Sequence, residues 1–170
     1  MRSKLARLDS VHQSLAKTTN SIAPQLCSIS PGENEWSVAE VLEHLVLVEE
    51  RVTIELEKSL QRPPTKVGLL KKLIPMRLIS LRFLKVKAPR AVCPTATRPV
   101  NELMAQYDQA RTRLKQLCTE SGSQRLKQVT FKHPFLGDID GVATMSMVAC
   151  HEERHHKQIK EIVRKLEKSG

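Results

Sequence analysis

Val148-Ala149-Cys150-His151-Glu152-Glu153-Arg154-His155-His156-Lys157-Gln158-Ile159 sets His151 and His155 four residues apart. On a helix this spacing separates them by about 40° around the axis, so both rings leave one face. Val148, Gln158, Ile159 and Ile162 fall on the same face, which is the one that should meet a core. Buried imidazoles carry polar nitrogens that need partners, and a shared metal ion is the usual reason for such a pair. A solvated, exposed pair is the plainer reading of these two residues alone. The pattern predicts a helix from about Val142 to Lys168, capped by Asp138 or Asp140.

Three more helices follow from the same 3.6-residue periodicity. Leu5, Leu8, Val11 and Leu15 predict a first helix over Ser3 to Thr19. Ser37 with Glu40 forms a capping box ahead of an apolar run, predicting a second helix over Val38 to Leu60 with Trp36 as a staple just outside it. Pro63 and Pro64 end that helix. Val100, Leu103, Tyr107, Ala110, Leu114 and Leu117 step by three and four along a third helix, which Gly122 stops. The stretch Val129 to Gly141, with His133-Pro134-Phe135 and Gly137, reads as a structured turn. Leu69, Leu70, Leu73 and Ile74 suggest a short helix, interrupted by Pro75, inside a connection too long for a plain bundle loop. Four long helices in 170 residues predict an all-α fold: one four-helix bundle domain, residues 1–170, with a long basic connection between helices two and three.

Composition supports a globular helical core. Hydrophobic residues make up 40% and aromatics only 3%, so Leu, Val, Ile and Met must fill the interior. The net charge of +10 is concentrated between Lys58 and Asn101, where no acidic residue occurs and Lys66, Lys71, Lys72, Arg77, Arg82, Lys85, Lys87, Arg90 and Arg98 are basic. Phe83 is the lone aromatic of that stretch, which argues against a nucleic-acid surface. A basic face toward an anionic substrate or a membrane surface accounts for the charge equally well. No run approaches the roughly 18 apolar residues of a membrane span, and Met1 to Asn20 lacks the apolar run of a signal peptide. Cys27, Cys93, Cys118 and Cys150 form no CxxC pair, so reduced cysteines and a cytoplasmic setting are expected.

A third histidine joins the first two. His44 falls between Val41 and Val48 and points inward from the second helix. One inward histidine is more often a satisfied core residue than a ligand; three on two helices of one bundle shift the reading to a divalent metal site. Three neutral imidazoles leave a coordination position open, the layout of a catalytic site, and they suit zinc, nickel or iron. Gln158 is a candidate partner for a ligand ring from outside the coordination sphere, with a plain core-edge glutamine as its alternative. His12 and His133 are not first choices, although His133 could approach the site, and His156 should face solvent. His151-Glu152-Glu153-Arg154-His155 also matches the zinc-peptidase pattern, with Glu152 as general base, the one weak candidate for an acid–base role. The longer zincin form fails, since Lys157, Gln158 and Glu161 stand where its further elements belong, and only 15 residues follow His155.

Trp36-Ser37-Val38-Ala39-Glu40-Val41-Leu42-Glu43-His44-Leu45 resembles the opening of helix two in the DinB-like (YfiT-like) superfamily of metal-binding bundles. His133-Pro134-Phe135-Leu136-Gly137, followed by His151, His155, Gln158 and Ile159, resembles its closing motif, so the likeness spans nearly the whole chain. The resemblance implies an up-down-down-up bundle, often a homodimer, and puts the three metal ligands on His44, His151 and His155. It further implies a small-molecule enzyme: a thiol S-transferase using a low-molecular-weight thiol such as bacillithiol or mycothiol, or a metal-dependent hydrolase. A non-catalytic metal-binding module of a stress response is the reading from another class. The long basic connection departs from the simplest members; in it Arg77, Arg82 and Arg90 are candidates for holding an anionic thiol cofactor.

Overall fold

The computed structural model describes residues 1–65, 89–95, 98–133 and 137–169. Four helices dominate: α1 Arg2–Asn20, α2 Val38–Leu60, α3 Val100–Leu126 and α4 Gly141–Ser169. The α2 boundaries coincide with the predicted ones because its caps are local. Ser37 Oγ accepts from the Glu40 N–H at 3.2 Å while Glu40 Oε2 accepts from the Ser37 N–H at 2.7 Å. At its other end Arg125 reaches over from α3 and donates to the carbonyls of Leu60 and Arg62 at 2.6 and 2.7 Å, satisfying acceptors that the helix leaves free.

Two expectations change in detail. Gly122 does not stop α3: with φ 72° and ψ 159° it kinks the chain, and a last helical turn runs on to Leu126. Only glycine adopts that backbone without strain. The stretch before α4 is more than a turn. It contains an antiparallel hairpin of β1, Thr130–His133, and β2, Gly137–Asp140, with Phe131 opposite Ile139 and both buried. Asp140 is the cap of α4, its Oδ1 accepting from the Ala143 N–H at 2.8 Å. The short helix expected between Leu69 and Leu84 lies outside the described residues.

The core forms two apolar clusters, and their membership fixes the helix directions. Leu8, Val52, Leu56, Leu114, Cys118 and Met145 meet in one, together with Phe131 and Ile139 of the hairpin. Leu15, Val41, Leu42, Leu103, Tyr107, Ile159 and Ile162 meet in the other. Along α1 and α4 the first cluster precedes the second; along α2 and α3 the order is reversed. The bundle is therefore up-down-down-up, with α1 parallel to α4 and α2 parallel to α3. Parallel neighbours need a connection that travels the length of the bundle, which explains why some forty residues separate α2 from α3.

At Gly141 the start of α4 lies close against the end of α3. A Cβ there would stand 2.9 Å from Leu126 Cδ2, 3.0 Å from the Leu126 carbonyl oxygen and 3.1 Å from Val129 Cγ2. Gly141→Ala should therefore cost about 1–3 kcal/mol of stability by overpacking, read as a lower denaturant midpoint. An unchanged midpoint would mean that α4 can move off α3 freely.

Candidate metal centre

His44, His151 and His155 come together although they arise from two antiparallel helices. One ring nitrogen from each lies within 4.8 Å of the others. The Nε2 atoms of His44 and His151 are 3.3 Å apart. Nitrogen ligands at about 2.0–2.1 Å in a tetrahedral zinc site stand about 3.3–3.4 Å from each other, so this pair has the separation that such an ion sets. No carboxylate or thiolate of the described residues joins the cluster.

The outer nitrogens are held by the chain. His44 Nδ1 donates to the Val92 carbonyl at 2.7 Å, and His155 Nδ1 donates to Gln158 Oε1 at 2.9 Å. A neutral ring that donates from Nδ1 keeps its lone pair on Nε2, so both rings offer Nε2 inward. Burial pushes the pKa of His44 below its ordinary value despite the Val92 carbonyl. His151 is pushed well below, first by burial and then by the charges of His155, His44, His133 and Arg154. Neutral imidazoles are what a metal ion requires, and the donor set fits one divalent cation.

Other sequence candidates are placed differently. Gln158 does contact a cluster histidine. His133 on β1 stands near enough for its charge to weigh on His151, yet it is outside the cluster. His156 is not simply solvated: it is half-buried, and its Nε2 lies 2.7 Å from Thr18 Oγ1 on α1. Arg90 is exposed on a 3-10 turn, Arg90–Val92, two residues from the carbonyl that holds His44. Arg77 and Arg82 lie outside the described residues.

Glu152 is fully buried and faces away from the histidines' cluster. Its Oε2 accepts from Arg111 Nη2 at 2.8 Å and its Oε1 lies 3.1 Å from His12 Nδ1. Arg111 also forks onto both carboxylate oxygens of Glu49. This buried group was missed by periodicity, although it left a signal: Glu49 and Arg111 are charges on inward faces, Glu49 three residues before Val52 and Arg111 between Tyr107 and Leu114. Two further neighbours of the site, the Val92 carbonyl and the Trp36 ring 5.0 Å from the His44 ring, depend on tertiary packing.

The site and bundle define a class, that of up-down-down-up helical bundles with three convergent histidines. The DinB superfamily model matches residues 7–159, and the chain belongs to that superfamily. Two solved structures are similar along nearly their full lengths. YfiT from Bacillus subtilis, described as a probable metal-dependent hydrolase with an unusual four-helix bundle topology, superposes with a TM-score of 0.68 at 17% identity, over 98% of this chain and 87% of that one. TT2238, described as a four-helix bundle protein, superposes with a TM-score of 0.63 at 22% identity, over 94% of this chain and 98% of that one. At such identities the likeness speaks for the fold alone. No functionally curated protein matches the sequence. Among the described residues no helix is long and apolar enough to cross a membrane.

His12 joins the buried charges to the surface, its Nε2 lying 2.6 Å from Asp108 Oδ1. Burial opposes its charge, but hydrogen bonds to Glu152 and Asp108 outweigh that and raise its pKa. A raised histidine pKa contributes stability that is complete below the unfolded value of about 6.5 and is lost as pH rises through the folded value. The stability gap between the parent and His12→Gln should accordingly be widest in mild acid and narrow toward alkaline pH. Thermal unfolding across pH tests this, and a constant gap would contradict it.

Proposed function

We propose that the chain is a metal-dependent thiol S-transferase in which His44, His151 and His155 hold one divalent ion, zinc, nickel or iron. The carrying observation is the convergence of ring nitrogens from three histidines within 4.8 Å. Three protein ligands leave a position for an exogenous group. A divalent cation bound there lowers the pKa of a thiol or water in that position. The chain's own part is to orient two of the rings through Val92 and Gln158 and to keep His44 and His151 unprotonated by burial.

The choice of a thiol over water rests on the absence, among the described residues, of a carboxylate in the histidine cluster. Activating water for hydrolysis is helped by a nearby carboxylate, and Glu152, the one sequence candidate, is committed to Arg111 and His12. A thiol acidified by a cation needs no such partner. Hydrolysis is the second reading, supported by what is said of YfiT, and a non-catalytic metal-binding module is the third. The low-molecular-weight thiol and a small electrophile are the proposed ligands, with Arg90, Arg77 and Arg82 contacting an anionic group. A cytoplasmic homodimer completes the proposal; no disulfide joins the described cysteines, as a reducing compartment leads one to expect.

Elemental analysis should find about one ion per chain in the parent and none in His44→Ala or His151→Ala. The single tryptophan, beside His44, should change its fluorescence on loading in the parent only. A parent that takes up no metal rejects the enzyme reading. With metal in place, thiol binding should be weakened by Arg90→Ala and lost at high salt; unchanged affinity would remove Arg90 from the site.

A further inference from the structure

The two apolar clusters of the core do not touch along a continuous seam. Each helix contributes a side chain to a charged layer between them: His12 on α1 between Leu8 and Leu15, Glu49 on α2 between Val46 and Val52, Arg111 on α3 between Tyr107 and Leu114, and Glu152 on α4 between Ala149 and Ile159. Arg111 gathers this layer. Nη1 donates to the Leu8 carbonyl of α1 at 2.6 Å, Nε and Nη2 donate to the Glu49 carboxylate of α2, and Nη2 donates to Glu152 of α4 at 2.8 Å. The Tyr107 hydroxyl on α3 lies 3.2 Å from the same Nη2. One side chain thus touches all four helices, and the side chains of Arg111, Glu49 and Glu152 keep only 4%, 2% and 1% of their surface exposed.

The carboxylates it clamps sit beside the histidines in sequence. Glu152 follows His151 directly, and Glu49 is five residues beyond His44, about 7.5 Å along the axis. We propose that Arg111 is the positioning residue of the metal centre: its guanidinium sets the register of α2 against α4, and through it the separation of His44 from His151 and His155. The inference rests on the proposed metal site and deepens it. Apolar packing alone tolerates small slides between helices, because it is non-directional. A forked guanidinium–carboxylate pair has fixed geometry, and a slide of one helix would strand a buried charge.

A purely structural role predicts lost stability and nothing more. A positioning role predicts lost metal affinity in variants that fold. The test therefore compares the full-length parent with Glu49→Met/Arg111→Met/Glu152→Met, Arg111→Lys and Phe131→Ala. The triple variant removes both signs together, which leaves no stranded charge and allows folding. Arg111→Lys keeps the charge but not the fork, and serves if the triple variant fails to fold. Phe131→Ala lowers stability from a hairpin residue that takes no part in the charged layer.

Affinity is read by competition against a chromophoric chelator, and ligand geometry by the visible bands of the cobalt(II)-loaded protein. The expected result is an affinity loss of about tenfold or more and altered cobalt bands in the triple variant and in Arg111→Lys. Phe131→Ala should match the parent on both. A folded triple variant or Arg111→Lys with the parent's affinity and spectrum overturns this inference while leaving the metal site standing. Equal losses in Phe131→Ala overturn it too, since affinity would then merely follow stability. A parent that binds no ion rejects the metal reading and this inference together.

Discussion

Burying Arg111 between Glu49 and Glu152 constrains the bundle more tightly than any apolar contact does. Each of these ions loses its hydration, and only the others can replace it. Apolar side chains accept many neighbours, whereas these groups accept a few oxygens or nitrogens at set distances. The layer therefore selects one register among the arrangements that the leucines and valines alone would tolerate. His12 completes it from α1, balancing a second carboxylate when protonated and leading outward to Asp108. The raised pKa of His12 and the raised pKa of Glu49, which burial drives despite Arg111, are two sides of that balance.

Helix α4 serves two environments at once. His151 and His155 leave it toward α2, while Glu152, about 100° around from His151, turns to Arg111 and α1. Adjacent residues thereby join two networks without sharing a side chain. The peptidase-like spacing of His151, Glu152 and His155 loses its significance in three dimensions, because the glutamate is spent on an ion layer. It stands as an example of a short motif whose chemistry depends on where the middle residue points.

Topology ties the described end of the basic connection to the candidate metal centre. Parallel α2 and α3 put the end of one and the start of the other at opposite ends of the bundle, and among residues 89–95 Val92 lies beside His44. The Val92 carbonyl then holds the outer nitrogen of a histidine while Arg90, two residues earlier, is exposed. One segment thus both carries positive charge and orients a candidate ligand imidazole.

Much was readable without coordinates. The four helices follow from apolar periodicity, the start of α2 from Ser37 and Glu40, and the inward direction of His44, His151 and His155 from their place among Val, Leu and Ile. These are local properties, set by 3.6 residues per turn and by caps that act within four residues. The hairpin before α4 escaped because Thr130 to Asp140 is short, and its strands are defined by pairing with each other. The passage of α3 through Gly122 escaped because a glycine at positive φ can kink a helix or end it, and the packing of Leu126 decides which. The partners of the histidines, Val92 and Trp36, and the union of Glu49, Arg111, Glu152 and His12 were decided only by tertiary structure. Hydrogen bonds and ion pairs between distant residues have no spacing rule, and they form where packing removes water from both partners.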